Sequence, residues 1–235
     1  MGKRIIARRR GRGGRYRSFS FRFKTQVKHR DYKEDIMGKV INLIHCPGHT
    51  SPLAEVLYDD GIKTFIIAPE GIAVGDRIGC GKKINLTNGS LSTLGSIPEG
   101  SLIYNIEGVP GDGGMYVKSA GTSAIVVSKS TDAVIVTLPS KKQKEFSSEC
   151  RAMIGVAAGS GRSEKPFVRA GKKWFAMRAR GRLYPKTAAV AMNAVDHPFG
   201  SGRGRHMGKP SVPPRNAPAG RKVGQIKARR TGWKR

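Results

Sequence analysis

Acidic residues are scarce in this sequence, with 16 Asp and Glu among 235 residues against 44 Lys and Arg. The formal charge is +28 at pH 7, and the isoelectric point is about 10.7. A surplus of this size repels itself in an isolated chain, so it indicates a polyanionic partner. A uniformly solvated basic surface is the alternative, but the charge is not evenly spread along the chain.

Cysteines and long apolar runs are also scarce. The three cysteines, Cys46, Cys80 and Cys150, are odd in number and match no disulfide framework, which favours a reducing compartment. No apolar run approaches the length of a membrane span, and the basic N-terminus lacks the apolar segment of a secretory signal. We therefore expect a cytoplasmic protein without a membrane partner.

The basic residues are concentrated at the two ends of the chain. Residues 1–30 carry 12 Lys and Arg and no acid, and residues 179–235 carry 14 against one acid. Residues 31–107 carry 6 against 10 acids, and residues 108–178 carry 12 against 5. A near-neutral body therefore lies between two strongly basic segments.

The first basic segment combines arginine with glycine and aromatic residues. Arginines alternate with glycines over residues 8–17, and Tyr16, Phe19, Phe21 and Phe23 lie among or just after them. Arginine pairs with phosphate through two hydrogen bonds, and both guanidinium groups and aromatic rings stack on bases. A disordered solubilising tail is the alternative, but regularly spaced phenylalanines are not expected in a solvated tail.

Within the second basic segment, Gly, Pro and basic residues are most concentrated at residues 193–210. This density of Gly and Pro excludes a helix or strand, and the charge excludes a core loop.

Ordering the roughly 80 residues of the two ends costs on the order of 100 kcal/mol, at about 1–2 kcal/mol per residue. We therefore expect these ends to be disordered alone and to take a fixed path on folded RNA. No helix-turn-helix, zinc-finger or basic-zipper pattern indicates DNA.

The body between the ends is rich in short strand patterns bounded by Pro and Gly. Strands are predicted over residues 38–45, 52–58, 64–68, around 77–78 and 102–106, and again over 115–118, 124–128, 133–138 and 151–156. Short strands with frequent turns imply a small barrel or a sandwich, and we favour barrels. Residues 141–144 are interpreted as a basic turn, and residues 183–192 as irregular.

The predicted fold class is mainly β, with two small β-barrels and long irregular basic extensions. The first barrel is of the oligonucleotide-binding type and the second is SH3-like. The predicted domains are an N-terminal extension at 1–30, the first barrel at 31–107, the second at 108–182 and a C-terminal extension at 183–235.

Several segments resemble the universal large-subunit ribosomal protein L2 family. The C-terminal signature is the most specific: residues 191–200 (AMNAVDHPFG), 208–211 (GKPS) and 217–224 (APAGRKVG). Residues 68–71 (APEG), 97–101 (IPEGS), 118–122 (KSAGT) and 150–152 (CRA) resemble the family's barrel motifs. Phe199 and the 217–224 segment resemble the archaeal or eukaryotic branch, and the short length favours archaea.

This resemblance implies a structural constituent of the large ribosomal subunit and not an enzyme. It implies two barrels flanked by extensions buried in rRNA, primary binding of large-subunit rRNA near the peptidyl-transferase region, and roles in subunit association and tRNA binding. The implied partners are large-subunit rRNA, neighbouring ribosomal proteins and the small subunit across the interface. The family's functional histidine corresponds to His197. Two departures are Ala194, where the family usually has Pro, and His49, where related chains often have Arg.

The residues predicted to bind rRNA are selected basic residues of the two ends and of residues 172–178, together with His197. No dedicated cofactor is predicted, but Mg²⁺ associated with the bound rRNA is expected. The rRNA-binding set is Arg8, Arg9, Arg10, Arg12, Arg15, Arg17, Lys172, Lys173, Arg178, Arg180, Arg182, His197, Arg203, Arg205, His206, Lys209, Arg215, Arg221, Lys222, Lys227, Arg229 and Arg230.

An enzymatic alternative rests on Asp196 and His197, because a carboxylate can orient an imidazole as a general base. Adjacent residues rarely face one another, however, and the sequence places no Ser or Cys nucleophile beside them.

A zinc alternative rests on His45, Cys46, His49 and Cys80, which are four suitable ligands if the strands bring Cys80 near the others. The Pro47-Gly48 turn is a sufficient explanation for the local pattern.

A dissociable translation factor or nucleoid protein is the third alternative. It fits the barrels and the charge, but two long RNA-threading ends would make release slow.

Overall fold

A computed structural model gives the fold and describes residues 2–10, 16–32, 34–82, 84–202 and 204–226. The chain divides into two compact units. We call Ser20–Phe167 the central unit, and Met1–Phe19 together with Val168–Arg235 the terminal unit.

The central unit is a β structure. Its ten described strands are β1 (Ile36–Ile44), β2 (Leu53–Tyr58), β3 (Lys63–Ile67), β4 (Arg77–Cys80), β5 (Leu91–Thr93), β6 (Leu102–Tyr104), β7 (Ala124–Lys129), β8 (Ala133–Thr137), β9 (Gln143–Ser147) and β10 (Arg151–Ile154). A 3-10 helix, Ser20–Arg22, precedes them. The predicted mainly β class is confirmed.

Among the described residues the strands form one sheet in the order β3-β2-β1-β4-β5-β10-β6-β7-β8-β9. Only β4 and β5 pair in parallel; the other neighbours are antiparallel. Register shifts between Val40 and Asn42 and between Val126 and Ser128 mark bulges, which bend and twist a strand. The ladder of described strands is open at β3 and β9, so the two closed barrels and the domain limits stay predictions.

Two hydrophobic cores lie in the central unit, and β6 and β10 contribute to both. Successive residues of a strand point to opposite faces. Ile103 and Ala152 belong to one core, whereas the next residues, Tyr104 and Met153, belong to the other. The buried Tyr104 hydroxyl donates to the carbonyl of Ile67 at 3.0 Å, so its one polar group is satisfied. These two short strands therefore connect the cores.

Two details of the sequence prediction are wrong in this unit. Residues 115–118 do not form a strand; Tyr116 makes an isolated bridge with Ile106, and Val117 has a φ of 54°, which is unfavourable for a β-branched residue. Residues 143–144 are not in a turn but begin β9, and β5 was not predicted at all.

The terminal unit contains only short helices among its described residues. They are α1 (Ile6–Arg9), α2 (Ala170–Ala179) and a 3-10 helix, Ala189–Ala191. The prediction that residues 183–192 are irregular is therefore wrong at this single turn. The helix α2 was not predicted; it buries no residue, so it has no buried apolar face that would give the sequence a helical pattern. No described helix in either unit is long and apolar enough to cross a membrane.

Candidate nucleic-acid interface

The formal charges of the chain are divided unequally between the two units. The terminal unit carries 26 Lys and Arg with Asp196 as its only acid. The central unit carries 18 Lys and Arg and 15 acids. Almost the whole charge surplus therefore belongs to the terminal unit, in which residues 1–19 and residues 168–235 form one compact body.

Every residue predicted to bind rRNA belongs to the terminal unit. Six of them, Arg12, Arg15, Arg203, Lys227, Arg229 and Arg230, lie outside the described residues. Of the others, Lys173, Arg180, His197 and Arg221 are partly buried. The remainder are exposed, as a phosphate-contacting side chain must be in the free protein: Arg8, Arg9, Arg10, Arg17, Lys172, Arg178, Arg182, Arg205, His206, Lys209, Arg215 and Lys222.

The loop at residues 193–200 is closed by its own backbone. The carbonyl of Asn193 accepts the N–H of Asp196 at 2.9 Å and that of His197 at 3.2 Å, and the N–H of Gly200 donates to the carbonyl of His197 at 2.8 Å. The turn therefore forms with Ala194 in place of the family's Pro. A Cβ on Gly200 would lie 2.3 Å from the carbonyl oxygen of Asn193, so this close approach requires glycine.

Phe199 fixes the end of this loop in a small apolar cluster. Its side chain is 4% exposed, as is that of Val223. Gly224, at a φ of 90°, packs against the Phe199 ring, and the N–H of Gln225 donates to the carbonyl of Ser211 at 3.0 Å. The 217–224 segment of the sequence signature therefore packs against the loop that carries His197.

The His197 ring has a defined tautomer. Its Nδ1 accepts the backbone N–H of Phe199 at 3.0 Å, so the proton of the neutral ring is on Nε2. Partial burial lowers the pKa of His197, which favours this neutral form at pH 7. Asp196 instead approaches Lys3, with 3.7 Å between the Lys3 Nζ and the carboxylate. The arrangement lacks the carboxylate–imidazole contact on which the enzymatic alternative depended.

A cationic cavity of about 390 Å³ borders His197. Lys3, Arg4, Arg8 and Lys209 contribute to its lining, and the N–H of Lys3 donates to the carbonyl of Val195 at 2.8 Å. The N-terminal segment is thereby held against the His197 loop. Such converging cations suit a phosphate group. Lys3 and Arg4 were not in the predicted set, although their charge was visible in the sequence.

A second cavity, of about 510 Å³, is lined by aromatic and arginine side chains of both terminal segments. The Arg178 guanidinium carbon lies 4.9 Å from the Trp174 ring centroid and 5.2 Å from that of Phe19. Lys173 Nζ lies 5.2 Å from the centroid of Tyr184. The sequence shows that both terminal segments contain aromatic and basic residues, but it does not show that these residues line one cavity.

The phenylalanines of the N-terminal segment have separate environments. Phe19 lines the aromatic cavity and Phe21 is 77% exposed. Phe23 packs against the first core of the central unit and beside Gly48, where a Cβ would lie 2.7 Å from its ring. The interpretation of this series as a set of base-stacking rings is therefore wrong for Phe23.

The residues of the zinc alternative are only partly gathered. His49 Nδ1 lies 3.1 Å from Cys46 Sγ, and burial lowers the pKa of His49. His45 is exposed, whereas Cys80 is buried and burial raises its thiol pKa to about 12. Across residues 2–10, 16–32, 34–82, 84–202 and 204–226, no group of three or more His, Cys, Asp or Glu side chains is placed to hold a metal.

Two family models match this chain. "Ribosomal Proteins L2, RNA binding N-terminal domain" matches residues 2–80, and "Ribosomal Proteins L2, C-terminal domain" matches residues 87–218. The boundary between the two matches lies in the central unit, so the family's two-part division does not coincide with the central and terminal units.

Three archaeal relatives are similar over their whole length, and each bears the name "Large ribosomal subunit protein uL2". The chain is 48% identical to the protein of Archaeoglobus fulgidus over 237 residues, 47% to that of Methanothermobacter thermautotrophicus over 241, and 49% to that of Methanococcus vannielii over 240. Each alignment covers 100% of both chains. The resemblance drawn from the signature segments is confirmed: the chain belongs to the ribosomal protein L2 family, in its archaeal branch.

Proposed function

We propose that this chain is a structural constituent of the large ribosomal subunit and binds large-subunit rRNA through its terminal unit. The observation that carries the proposal is the division of charge, with 26 Lys and Arg against one acid in that unit. Family membership supports a structural role in the cytoplasmic ribosome rather than an enzymatic one.

The binding chemistry follows from this charge. Each Lys or Arg that meets a phosphate displaces condensed counterions, and guanidinium groups form paired hydrogen bonds with phosphate oxygens. The cavity formed by Lys3, Arg4, Arg8 and Lys209 concentrates four cations beside the His197 loop. Mg²⁺ associated with the bound rRNA would screen the remaining phosphate charge, without needing a dedicated protein site.

The finer role that we propose is support of the peptidyl-transferase region, subunit association and tRNA binding. His197 is suited to such a role because its Nδ1 is already engaged by Phe199, which leaves Nε2–H as a donor toward an RNA oxygen. The neighbouring ribosomal proteins and the small subunit are the further partners in this proposal.

The test is the salt dependence of binding between the full chain and large-subunit rRNA. Lys209→Gln removes a cation from the His197 cavity, and Lys165→Gln is the matched control on an exposed cation of the central unit. We expect Lys209→Gln to reduce the slope of log affinity against log salt by roughly one, and Lys165→Gln to leave it unchanged. Equal effects of the two variants would contradict binding through the terminal unit.

Co-sedimentation distinguishes a ribosomal constituent from a dissociable factor. A constituent held by many phosphate contacts stays with the large subunit at moderate salt, whereas a factor is released completely at low salt. Complete release at low salt would therefore overturn the proposal.

A further inference from the structure

The aromatic rings of one cavity in the terminal unit have no role in the charge-based binding described so far. This cavity is lined by Tyr16, Phe19, Trp174, Arg178, Gly181, Arg182, Leu183 and Tyr184. Its volume of about 510 Å³ falls within the roughly 300–1,000 Å³ of small-ligand sites. Four aromatic rings around one cavity exceed what binding to phosphates alone requires.

A close backbone contact brings the two ends of the chain together at this cavity. A Cβ on Gly181 would lie 2.7 Å from the nitrogen of Ser18 and 2.8 Å from the carbonyl carbon of Arg17. Gly181 also has a φ of 61°, a conformation that favours glycine. The segment of Tyr16 and Phe19 therefore lies directly against the chain that follows α2.

The rings are held in place by cations. Arg178 lies near the rings of both Trp174 and Phe19, at 4.9 and 5.2 Å, and Arg9 lies 5.7 Å from the centroid of Tyr16. Cation–π contacts of this kind are effective within about 6 Å of the ring centroid. They restrain the rings, and Trp174 keeps 37% of its surface exposed.

The charge of the lining selects the kind of occupant. Among the described residues, two arginines and no acid line the cavity, and the only acid of the terminal unit, Asp196, is not part of this lining. An apolar side chain of a neighbouring protein would leave the guanidinium groups without a counter-charge. A nucleotide supplies both a flat ring for stacking and a phosphate for an arginine.

We propose that this cavity binds one unpaired nucleotide of large-subunit rRNA, with its base stacked among Trp174, Tyr16 and Tyr184 and its phosphate at Arg182. This inference rests on the proposed rRNA binding and adds a defined subsite to it. Because every base has a π-face, stacking alone accepts any of the four bases.

The experiment measures 2′-hydroxyl acylation of protein-free large-subunit rRNA after addition of the full chain as the only protein. Trp174→Leu removes the stacking ring, Trp174→Phe retains one, and Phe167→Leu is the control because Phe167 is 50% exposed and does not line the cavity. We expect one or two adjacent nucleotides to become several-fold more reactive with Trp174→Leu. They should stay protected with Trp174→Phe and Phe167→Leu, and of these three variants Trp174→Leu should lower the affinity, by about tenfold.

A second variant guards against local misfolding of α2. Tyr16→Leu changes a ring on the other terminal segment, so the same nucleotides must respond to it if the cavity holds them. If Trp174→Leu and Phe167→Leu give identical reactivities and affinities, the nucleotide site is refuted.

The two proposals fail in different ways in this experiment. If the wild-type chain does not bind the rRNA at all, the proposed function itself fails. If the wild-type chain binds with a strong salt dependence but Trp174→Leu changes no nucleotide, only the stacking site fails.

Discussion

Glu107 and Arg151 form a buried ion pair at the centre of a hydrogen-bond network in the central unit. Arg151 Nη2 donates to Glu107 Oε1 at 2.7 Å, and the Glu107 side chain is completely buried. The carboxylate also accepts the backbone N–H of Arg151 at 2.9 Å and that of Gly113 at 3.1 Å. Arg151 Nη1 in turn donates to Asp31 at 2.9 Å, which ties the start of the central unit to β10.

Removing one partner of this pair is expected to be costly. Burial alone would raise the pKa of the Glu107 carboxyl, but the hydrogen bonds from Arg151 outweigh burial and lower it. Glu107→Ala leaves the Arg151 guanidinium, of which only 11% is exposed, without its main partner. We expect a loss of about 3–5 kcal/mol in the free energy of unfolding of the RNA-free chain, measured by urea denaturation.

The matched control is the partly exposed pair between Lys63 and Glu55, whose charged atoms are 3.9 Å apart. Because Lys63 is 59% exposed and water screens the pair, Glu55→Ala should cost at most about 1 kcal/mol. Similar losses for Glu55→Ala and Glu107→Ala would contradict the importance of the buried network.

His29 should make the stability of the central unit depend on pH. Its ring is 6% exposed, and Nε2 lies 2.6 Å from the carbonyl oxygen of Asn105, to which it donates. Burial lowers the pKa of His29 from 6.5 to about 4, although Glu107 acts in the opposite direction and Arg151 and Lys118 act with burial. Between these two values the unfolded chain binds a proton that the folded chain does not, so stability falls as the pH falls.

The lowered pKa of His29 sets the expected size of this pH effect, and a His29 variant provides its control. Roughly 3 kcal/mol of unfolding free energy should be lost between about pH 6.5 and pH 4, at about 1.4 kcal/mol per pKa unit. His29→Gln keeps a donor toward Asn105 but cannot titrate. Urea midpoints measured across this range should therefore change less in His29→Gln than in the wild type, and an unchanged slope would refute the assignment to His29.

The central unit shows which structural features the sequence can predict. The strands β1, β2, β3, β7 and β8 were predicted from β-branched runs bounded by Pro, Gly or Asp, because these are local signals. The strand β9 was not predicted because its lysines resemble a basic turn. In the structure, the ammonium group of Lys144 in this strand lies 4.0 Å from the Tyr116 ring centroid. No local pattern indicates that distant contact.

The same distinction applies to the candidate interface. Composition alone led to the prediction that the cations of both ends bind RNA, and this stays a prediction. The helix α2 was missed because its apolar residues form no buried stripe, and periodicity is the main helix signal. The two cavities depend on contacts between the first 19 residues and the segment after Val168, so residue types pointed to their chemistry but could not place it.

Gly200 should be required for the shape of the His197 loop. A Cβ at this position would lie 2.3 Å and 2.4 Å from the carbonyl oxygen and carbon of Asn193, and neither backbone atom can move independently of the turn. Gly202→Ala is the control because, in the part of the chain that the structure describes, nothing lies within 4 Å of the position that its added methyl group would occupy. Gly200→Ala should weaken rRNA binding at moderate salt by about tenfold, the effect of roughly 1.4 kcal/mol of loop strain, whereas Gly202→Ala should match the wild type.

A binding measurement with both glycine variants checks this expectation. Protease cleavage in the loop of the RNA-free chain provides a second readout, because a displaced loop exposes its backbone. Wild-type affinity and cleavage in Gly200→Ala would show that the turn tolerates a side chain and that the close approach to Asn193 is not required.

His197 is expected to act through Nε2–H as a hydrogen-bond donor to RNA. Its Nδ1 accepts the N–H of Phe199 at 3.0 Å, so substitution affects both the donor and the support of the loop. His197→Ala should lower peptide-bond formation or assembly in reconstituted large subunits, whereas Phe199→Leu tests the loop support separately because the Phe199 ring is buried.

Loss of one hydrogen bond to a charged group corresponds to about 1.5–3 kcal/mol, or roughly 10- to 150-fold in affinity for that contact. His197→Gln retains an N–H donor and should recover part of the loss. Subunits with His197→Ala that assemble and react like the wild type would exclude this role, while equal losses in His197→Ala and His197→Gln would assign His197 to loop support through Phe199.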